Sequence, residues 1–351
     1  MINKNKHTFH IPVMGLGFSV DTPAKVAKYG ISSVISIVDD FMIEKMREAY
    51  CRMFNKPFHP ISRKSEDFRA ERITSYLNLI DEVVKEKFEE LKNSIHEKSH
   101  ELEKYFDMLP DFSGLKQKYK DLLQNNHSIK EIQAWLHKNL SLGSIDVNIM
   151  TKLDKPNFNK KEQLPVEFND AHAALRGFAK SNLNSSIVLS AGMNPRLYGY
   201  MEKFNDFFPD EEGNLKKKIT LKVSDYRSAL IQGKFLAKKG LWVSEFRIES
   251  GLNCGGHAFA SDGFLLGPIL VEFKNKREEL IQTLFEIYEK GLKNKNRLSP
   301  GKPSEIMFTA QGGVGTAEEH QFLVDHYNLD SIGWGSPFLL VPEVSIVDDE
   351  T

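Results

Sequence analysis

Short apolar or alternating runs recur along most of the chain, separated by stretches with helical period. The runs are Ile11–Gly17, Ile31–Val38, Ser144–Met150, Ser185–Gly192, Lys218–Val223, Leu241–Ile248, Glu305–Thr309 and Asp330–Trp334. Their length, their period of two and the glycines or polar residues that bound them predict strands. Helices are predicted between them, at Asp21–Tyr29, Asp170–Ser181, Asp225–Lys239, Glu272–Leu292 and Thr316–Tyr327. The first is typical: Asp21 or Thr22 caps it, Pro23 is tolerated in the first turn, and Gly30 ends it. Strand, helix and strand in so short a span argue a right-handed parallel unit. Eight strands alternating with helices predict an α/β protein, a (β/α)8 TIM barrel, ahead of an open doubly wound sheet.

One interval breaks the alternation. From Asp39 to Leu142 nothing reads as a strand, while Glu44–Phe54, Ser65–Phe106 and Ser128–Leu140 are helical in period. Ile73, Leu77, Ile80, Val84, Phe88, Leu91 and Ile95 form one apolar face, and Ser128 with Glu131 makes a capping box. The chain therefore reads as a single barrel over 1–351 with a helical insertion at 39–142 after strand two. In a barrel the loops after the strands share the face that carries the active site. The insertion rises from that face, and is expected to be a lid or cap over the site or an oligomerisation arm. His96 and His100 stand at helical ligand spacing, but no third ligand accompanies them, and they read as solvent-facing residues.

Composition narrows the class. The 351 residues suit one barrel with insertions. The formal net charge of −1 gives no global case for nucleic acid or an anionic membrane as partner. No apolar run approaches the ~20 residues of a membrane span, and Met1–His7 lacks the apolar core of a signal peptide. Cys51 and Cys254 make neither a disulfide framework nor a zinc site. The expectation is a cytoplasmic protein acting on a small-molecule substrate, compatible with a homo-oligomer.

Glycines mark where the chemistry should lie. Gly312, Gly313 and Gly315 follow strand seven; Gly333, Gly335 and Ser336 follow strand eight. Barrels frequently bind a phosphate at those two loops, where exposed backbone N–H groups cradle the anion. A third glycine turn, Gly255 and Gly256, follows strand six and ends in His257, a residue whose proton is exchangeable near neutral pH. Lys222 lies between Leu221 and Val223, and Asn148 between Val147 and Ile149. Each points either into the barrel near its mouth or into the helical layer. Taken singly, these are also what tight turns, a structural histidine and a bonded core asparagine look like.

Together, the motifs resemble the FMN-dependent nitronate monooxygenase family, once called 2-nitropropane dioxygenases, which includes the flavin-type enoyl-acyl-carrier-protein reductases. Pro12-Val-Met14-Gly15 resembles the family's opening strand, whose backbone lies against the flavin. Val147-Asn148 resembles its third-strand Val-Asn, where Asn reaches the flavin, and Lys222 falls where similar barrels place a lysine near flavin N1 and O2. Cys254-Gly255-Gly256-His257 resembles Ala-Gly-Gly-His, whose histidine is the catalytic candidate. Ala310-Gln-Gly312-Gly313-Val314 and Gly335-Ser336-Pro-Phe338 resemble the two FMN phosphate loops. The resemblance covers about residues 11–38 and 144–345. The insertion, Cys254 in place of Ala, Pro337 in place of the usual Arg, and a long 259–303 segment depart from the pattern.

The resemblance implies FMN as cofactor, oxidoreductase chemistry of nitronate monooxygenase type, and His257 as acid or base. FMN is expected rather than FAD, because one terminal phosphate cradle is visible and no Rossmann fingerprint accompanies it. The alternatives are an enoyl-thioester reductase using NAD(P)H, a phosphate-binding isomerase or aldolase with Lys222 as a Schiff-base lysine, and a non-catalytic barrel whose insertion binds a protein.

Overall fold

The computed structural model describes residues 7–15, 18–37, 39–96, 100–111, 113–125, 127–149, 154–159, 161–250, 265–341 and 344. Its eight principal strands are β1 (Phe9–Ile11), β2 (Ser32–Ser36), β3 (Ile145–Ile149), β4 (Ser185–Leu189), β5 (Lys217–Val223), β6 (Val243–Glu249), β7 (Met307–Gln311) and β8 (Ser331–Gly333). All pair in parallel, each with its neighbours in the chain, and β8 closes on β1 with Phe9 against Ile332 and His10 against Gly333. The expected (β/α)8 barrel is present. The open sheet is excluded, because closure leaves no edge strand. A two-stranded hairpin, Phe158–Asn159 with Glu162–Gln163, decorates the segment after β3.

The period-two pattern explains the layering. Ile219, Leu221 and Val223 of β5, Phe246 and Ile248 of β6, and Phe308 and Ala310 of β7 are at most 2% exposed and belong to the main apolar core. Residues of opposite parity on the same strands face the barrel interior. Around the outside run α1 (Thr22–Val26), α2 (Asp40–Met53), α3 (Phe68–Asn93), α4 (His100–Asp107), α5 (Gly114–Gln124), α6 (Ile129–Asn139), α7 (Asp170–Lys180), α8 (Pro195–Tyr200), α9 (Tyr226–Lys238), α10 (Leu266–Asn275), α11 (Arg277–Lys293) and α12 (Ala317–Tyr327). Trp242, just before β6, is clamped against Phe285 and Tyr288 of α11. The close approach of α11 to α9 depends on Gly291, where an added Cβ would lie 2.4 Å from the Ala237 carbonyl oxygen.

The insertion divides into two parts. Helix α3 takes a place in the ring beside α1 and α7, burying Ile73, Leu77, Ile80 and Val84. Helix α2 is capped by Asp39, which accepts from Phe41 and Met42 N–H, and it packs against α3. Lys56, which follows α2, pairs with Glu82 and Glu86 of α3 at 2.7 Å each. Beyond Asn93, helices α4 to α6 enclose a second core of Phe88, Leu91, Leu102, Tyr105, Phe106, Tyr119 and Leu136, with the Phe106 and Tyr119 rings stacked at 3.8 Å.

That second core is not a lid. Tyr105 Oη donates to the Ser141 carbonyl, and Glu101 pairs with Lys28 and accepts from Tyr29. Residues 28–29 lie three to four residues before β2 and Ser141 four residues before β3, so α4 to α6 sit at the N-terminal end of the strands, away from the βα loops. The expectation of a cap over the mouth is corrected for this part. Helix length is the cause: α3 starts at the C-terminal end of the barrel and has 26 residues. At ~1.5 Å per residue that is roughly 39 Å. A five-residue strand spans only about 17 Å. The helix overruns the barrel and delivers α4, α5 and α6 to the far side.

Candidate functional site

Parallel register places side chains of paired residues on the same face of the sheet. One inward row runs across four strands: His10 of β1 is paired with Gly333 of β8, Gly333 with Gln311 of β7, and Gln311 with Glu249 of β6. Lys222 of β5 joins the row through an ion pair, with Nζ 3.4 Å from Glu249 Oε1. Gln311 Nε2 donates to the other carboxylate oxygen at 2.6 Å. The Gln311 amide oxygen is buried and has no partner among the described residues. Lys222 is therefore turned inward, toward the mouth, rather than into the helical layer. Asn148 also faces inward, and its Nδ2 donates to Ser36 Oγ at 3.4 Å. Lys222, Glu249, Gln311 and Asn148 form the polar floor of the C-terminal mouth.

Below this floor the interior remains polar. Arg247 forms a two-pronged pair with Glu245, Nε to Oε1 at 2.9 Å and Nη2 to Oε2 at 3.1 Å. Thr309 and Thr220 donate to the same carboxylate at 2.6 and 3.0 Å. Asp146 lies 3.9 Å from Arg247 Nη2 and accepts from the Ser186 N–H. Burial pushes the Asp146 carboxyl up to about 6, whereas Arg247, working against desolvation, holds Glu245 down at about 2. Burial, assisted by Arg247, pushes His10 down to about 3, so the ring is neutral at ordinary pH. Its Nδ1 is 3.0 Å from Ser331 Oγ, and its Nε2 has no partner among the described residues.

The loop after β7 takes the left-handed backbone that glycine permits at Gly312 (φ 94°) and Gly313 (φ 73°). Among the described residues, the N–H groups of Gly312, Gly313 and Ser336 have no backbone acceptor. Gly315 differs: its N–H and that of Thr316 both donate to the Glu319 carboxylate, which closes a capping box at the start of α12. Gly335 comes within reach of the β1 loop, since a Cβ there would lie 3.6 Å from Pro12 Cγ, and the exposed Ser336 opens a short 3-10 turn. In the β1 loop the Met14 N–H donates to Ser19 Oγ at 2.8 Å, and Gly15 O accepts from the Ser19 N–H. The Met14 side chain packs on the small cluster of Ile11, Val26, Ile31 and Val344.

These observations bear on whether the residues fit FMN. The Gly312, Gly313 and Ser336 N–H groups, without a backbone acceptor among the described residues, a hydroxyl at Ser336 and an inward cation at Lys222 suit a phosphate and an electron-rich ring. Met14 offers no free N–H, and Gly315 is used by its own helix cap. Gly255, Gly256 and His257 lie outside the described residues, as does Cys254; the last described positions before them are Glu249 and Ser250 at the end of β6. His100 is exposed and lies 3.4 Å from Glu103, and no group of metal-binding side chains occurs among the described residues.

Glu249, Gln311, Glu245, Arg247, Asp146 and His10 are not among the residues singled out from the sequence. A signal for half of them was present, because Glu245, Arg247 and Glu249 alternate with Phe246 and Ile248. Three charges on one face of a barrel strand whose other face meets helices must point inward. Neither a comparison with known protein families nor one with curated protein sequences finds a match.

Proposed function

We propose that the chain is an FMN-dependent oxidoreductase, acting on a small molecule at the C-terminal mouth of the barrel in the manner of nitronate monooxygenases. The observation that carries this is the convergence of the ion-paired floor of Lys222, Glu249 and Gln311 with two glycine loops in which the Gly312, Gly313 and Ser336 N–H groups have no backbone acceptor among the described residues. FMN supplies the electron or hydride transfer when bound. Gly312, Gly313, Gly335 and Ser336 would hold its phosphate. Lys222 would present a cation toward the ring, and Asn148 and the free Gln311 amide oxygen would offer polar contacts. His257 would give a proton to the substrate or take one from it.

A Schiff-base role for Lys222 is less well supported, since its amine is engaged by the buried Glu249 carboxylate at 3.4 Å. An enoyl-thioester substrate would use the same floor, and NAD(P)H consumption against oxygen uptake separates the two redox choices. The test of the cofactor is the visible spectrum of the purified or FMN-reconstituted protein, with the released flavin identified chromatographically. Gly312→Asp and Gly335→Asp place bulk and negative charge at the phosphate loops and should abolish flavin retention. A colourless wild type that takes up no FMN would overturn the proposal, and full flavin content in both variants would overturn the phosphate assignment.

A further inference from the structure

We propose that Glu249 is a positioning residue that offsets the charge of Lys222 and so lowers the reduction potential of FMN bound at the mouth. This rests on the FMN reading above. The Glu249 side chain is 8% exposed and is held from two sides, by Lys222 at 3.4 Å and by Gln311 Nε2 at 2.6 Å. It is in register with Gln311 on β7, and with its carboxylate held from two sides it has little freedom to swing away.

The cations and anions beneath are bound mainly to one another. Arg247 is the next inward residue down the strand, but both prongs of its guanidinium are engaged by Glu245, whose oxygens also accept from Thr220 and Thr309. Asp146 stands at the side of this group, and Arg247 also feels the Glu249 charge from below, an interaction common to wild type and Lys222→Met. Among the described residues, the ion pair presented at the mouth is that of Lys222 and Glu249. An uncompensated lysine would favour the anionic reduced flavin over the neutral oxidised one. A carboxylate fixed beside it removes most of that preference and leaves a more strongly reducing cofactor.

The experiment is spectroelectrochemistry on the FMN-loaded protein. Glu249→Gln keeps the hydrogen-bonding shape and removes the charge. It should bind reduced flavin ten- to a hundred-fold better relative to oxidised flavin, which for a two-electron couple raises the midpoint potential by about 30–60 mV. Lys222→Met leaves Glu249 unopposed and should shift the potential by a similar amount in the other direction. The double variant should return close to wild type, because it restores neutrality. A residue that merely supports the fold would change flavin content without opposite shifts in potential. Equal potentials in wild type and Glu249→Gln, or a downward shift in that variant, overturn the inference. Where Glu249→Gln fails to retain flavin, an unchanged potential in Lys222→Met overturns it. Failure of the wild type to bind FMN would overturn the functional proposal and this inference together, and is seen before any variant is made.

Discussion

Replacing Arg247 by Met should be among the most damaging single changes in the barrel. The Arg247 side chain is 3% exposed and that of Glu245 is 9% exposed, and two direct bonds join them. Methionine fills much of the arginine volume, so the loss is electrostatic rather than a cavity. Glu245 keeps the hydroxyl donors of Thr220 and Thr309 but becomes an unpaired buried charge. Breaking a buried pair from one side costs about 3–5 kcal/mol. Glu245→Leu should cost less, because Asp146, 3.9 Å from the guanidinium, remains as a counter-charge. The Arg247→Met/Glu245→Leu double variant should recover most of the loss, since apolar replacements of a buried pair are often neutral or better. Urea unfolding followed by tryptophan fluorescence and circular dichroism measures all four proteins, and the cycle gives the coupling. A cost below ~1 kcal/mol for Arg247→Met, or single effects that simply add, would show that the pair is solvated and that the interior is not a closed electrostatic unit.

Other outcomes are equally specific. His10 is held neutral in the fold with its pKa pushed down to about 3, whereas the unfolded chain protonates near 6.5. Its contribution to stability is thus complete above pH 6.5 and is lost as pH falls toward 3. His10→Asn should lose less stability than wild type between pH 6.5 and 5; in that comparison the opposite contribution of Asp146, whose pKa is raised, is common to both proteins and cancels. Parallel stability–pH slopes for the two proteins would refute it. Gly30 has φ 78°, and an added Cβ would lie 3.2 Å from both the Ser141 carbonyl oxygen and Tyr105 Oη. Gly30→Ala should cost ~1–3 kcal/mol and raise amide exchange selectively in α4 to α6; uniform or unchanged protection would contradict the docking described. His257→Ala should keep FMN and slow turnover per bound flavin by ~10²–10⁴-fold, whereas reduced occupancy with an unchanged rate per flavin would make the histidine structural.

The barrel was legible because alternation and strand count are local properties. Seven of the expected strands have counterparts within a few residues; the first is corrected, since the strand is Phe9–Ile11 and meets the expected Ile11–Gly17 only at Ile11, with Pro12 to Gly15 in the loop that follows it. Helix breaks were less legible. Glu272–Leu292 reads as one helix, yet the structure has α10 and α11 with a break at Lys276 (φ −111°, ψ 14°), where neither glycine nor proline announces it. Likewise Ser65–Phe106 is divided after Asn93, and the helix α5 was not expected. Periodicity passes through such breaks because the apolar face on both sides meets the same neighbour. The polar interior was half legible. Lys222 and Asn148 stood out as single polar residues in apolar runs, but Glu245, Arg247 and Glu249 belonged to a strand whose charges looked like an ordinary solvent side. Closure of the sheet converts that side into the interior, and closure is not a local property.

That conversion also explains how the fold supports its mouth. Barrel interiors are ordinarily packed with bulky branched side chains, whereas here the strands β5, β6 and β7 give their large apolar residues to the helical ring and their polar ones to the inside. Hydrophobic stabilisation is therefore concentrated outside the strands, where Phe246, Phe308 and Trp242 lie, each at most 2% exposed. Specificity of register inside comes from ion pairs and hydroxyls that fit in one arrangement. A chain organised in this way can change the charge at the mouth without opening a hole in its core. The insertion shows the same division. Its first part thickens the ring beside α1 and α7, and its second brings an apolar core of its own to the N-terminal end. Neither depends on the chemistry of Lys222, Glu249 and Gln311, so the mouth and the far end are free to answer to different selective demands.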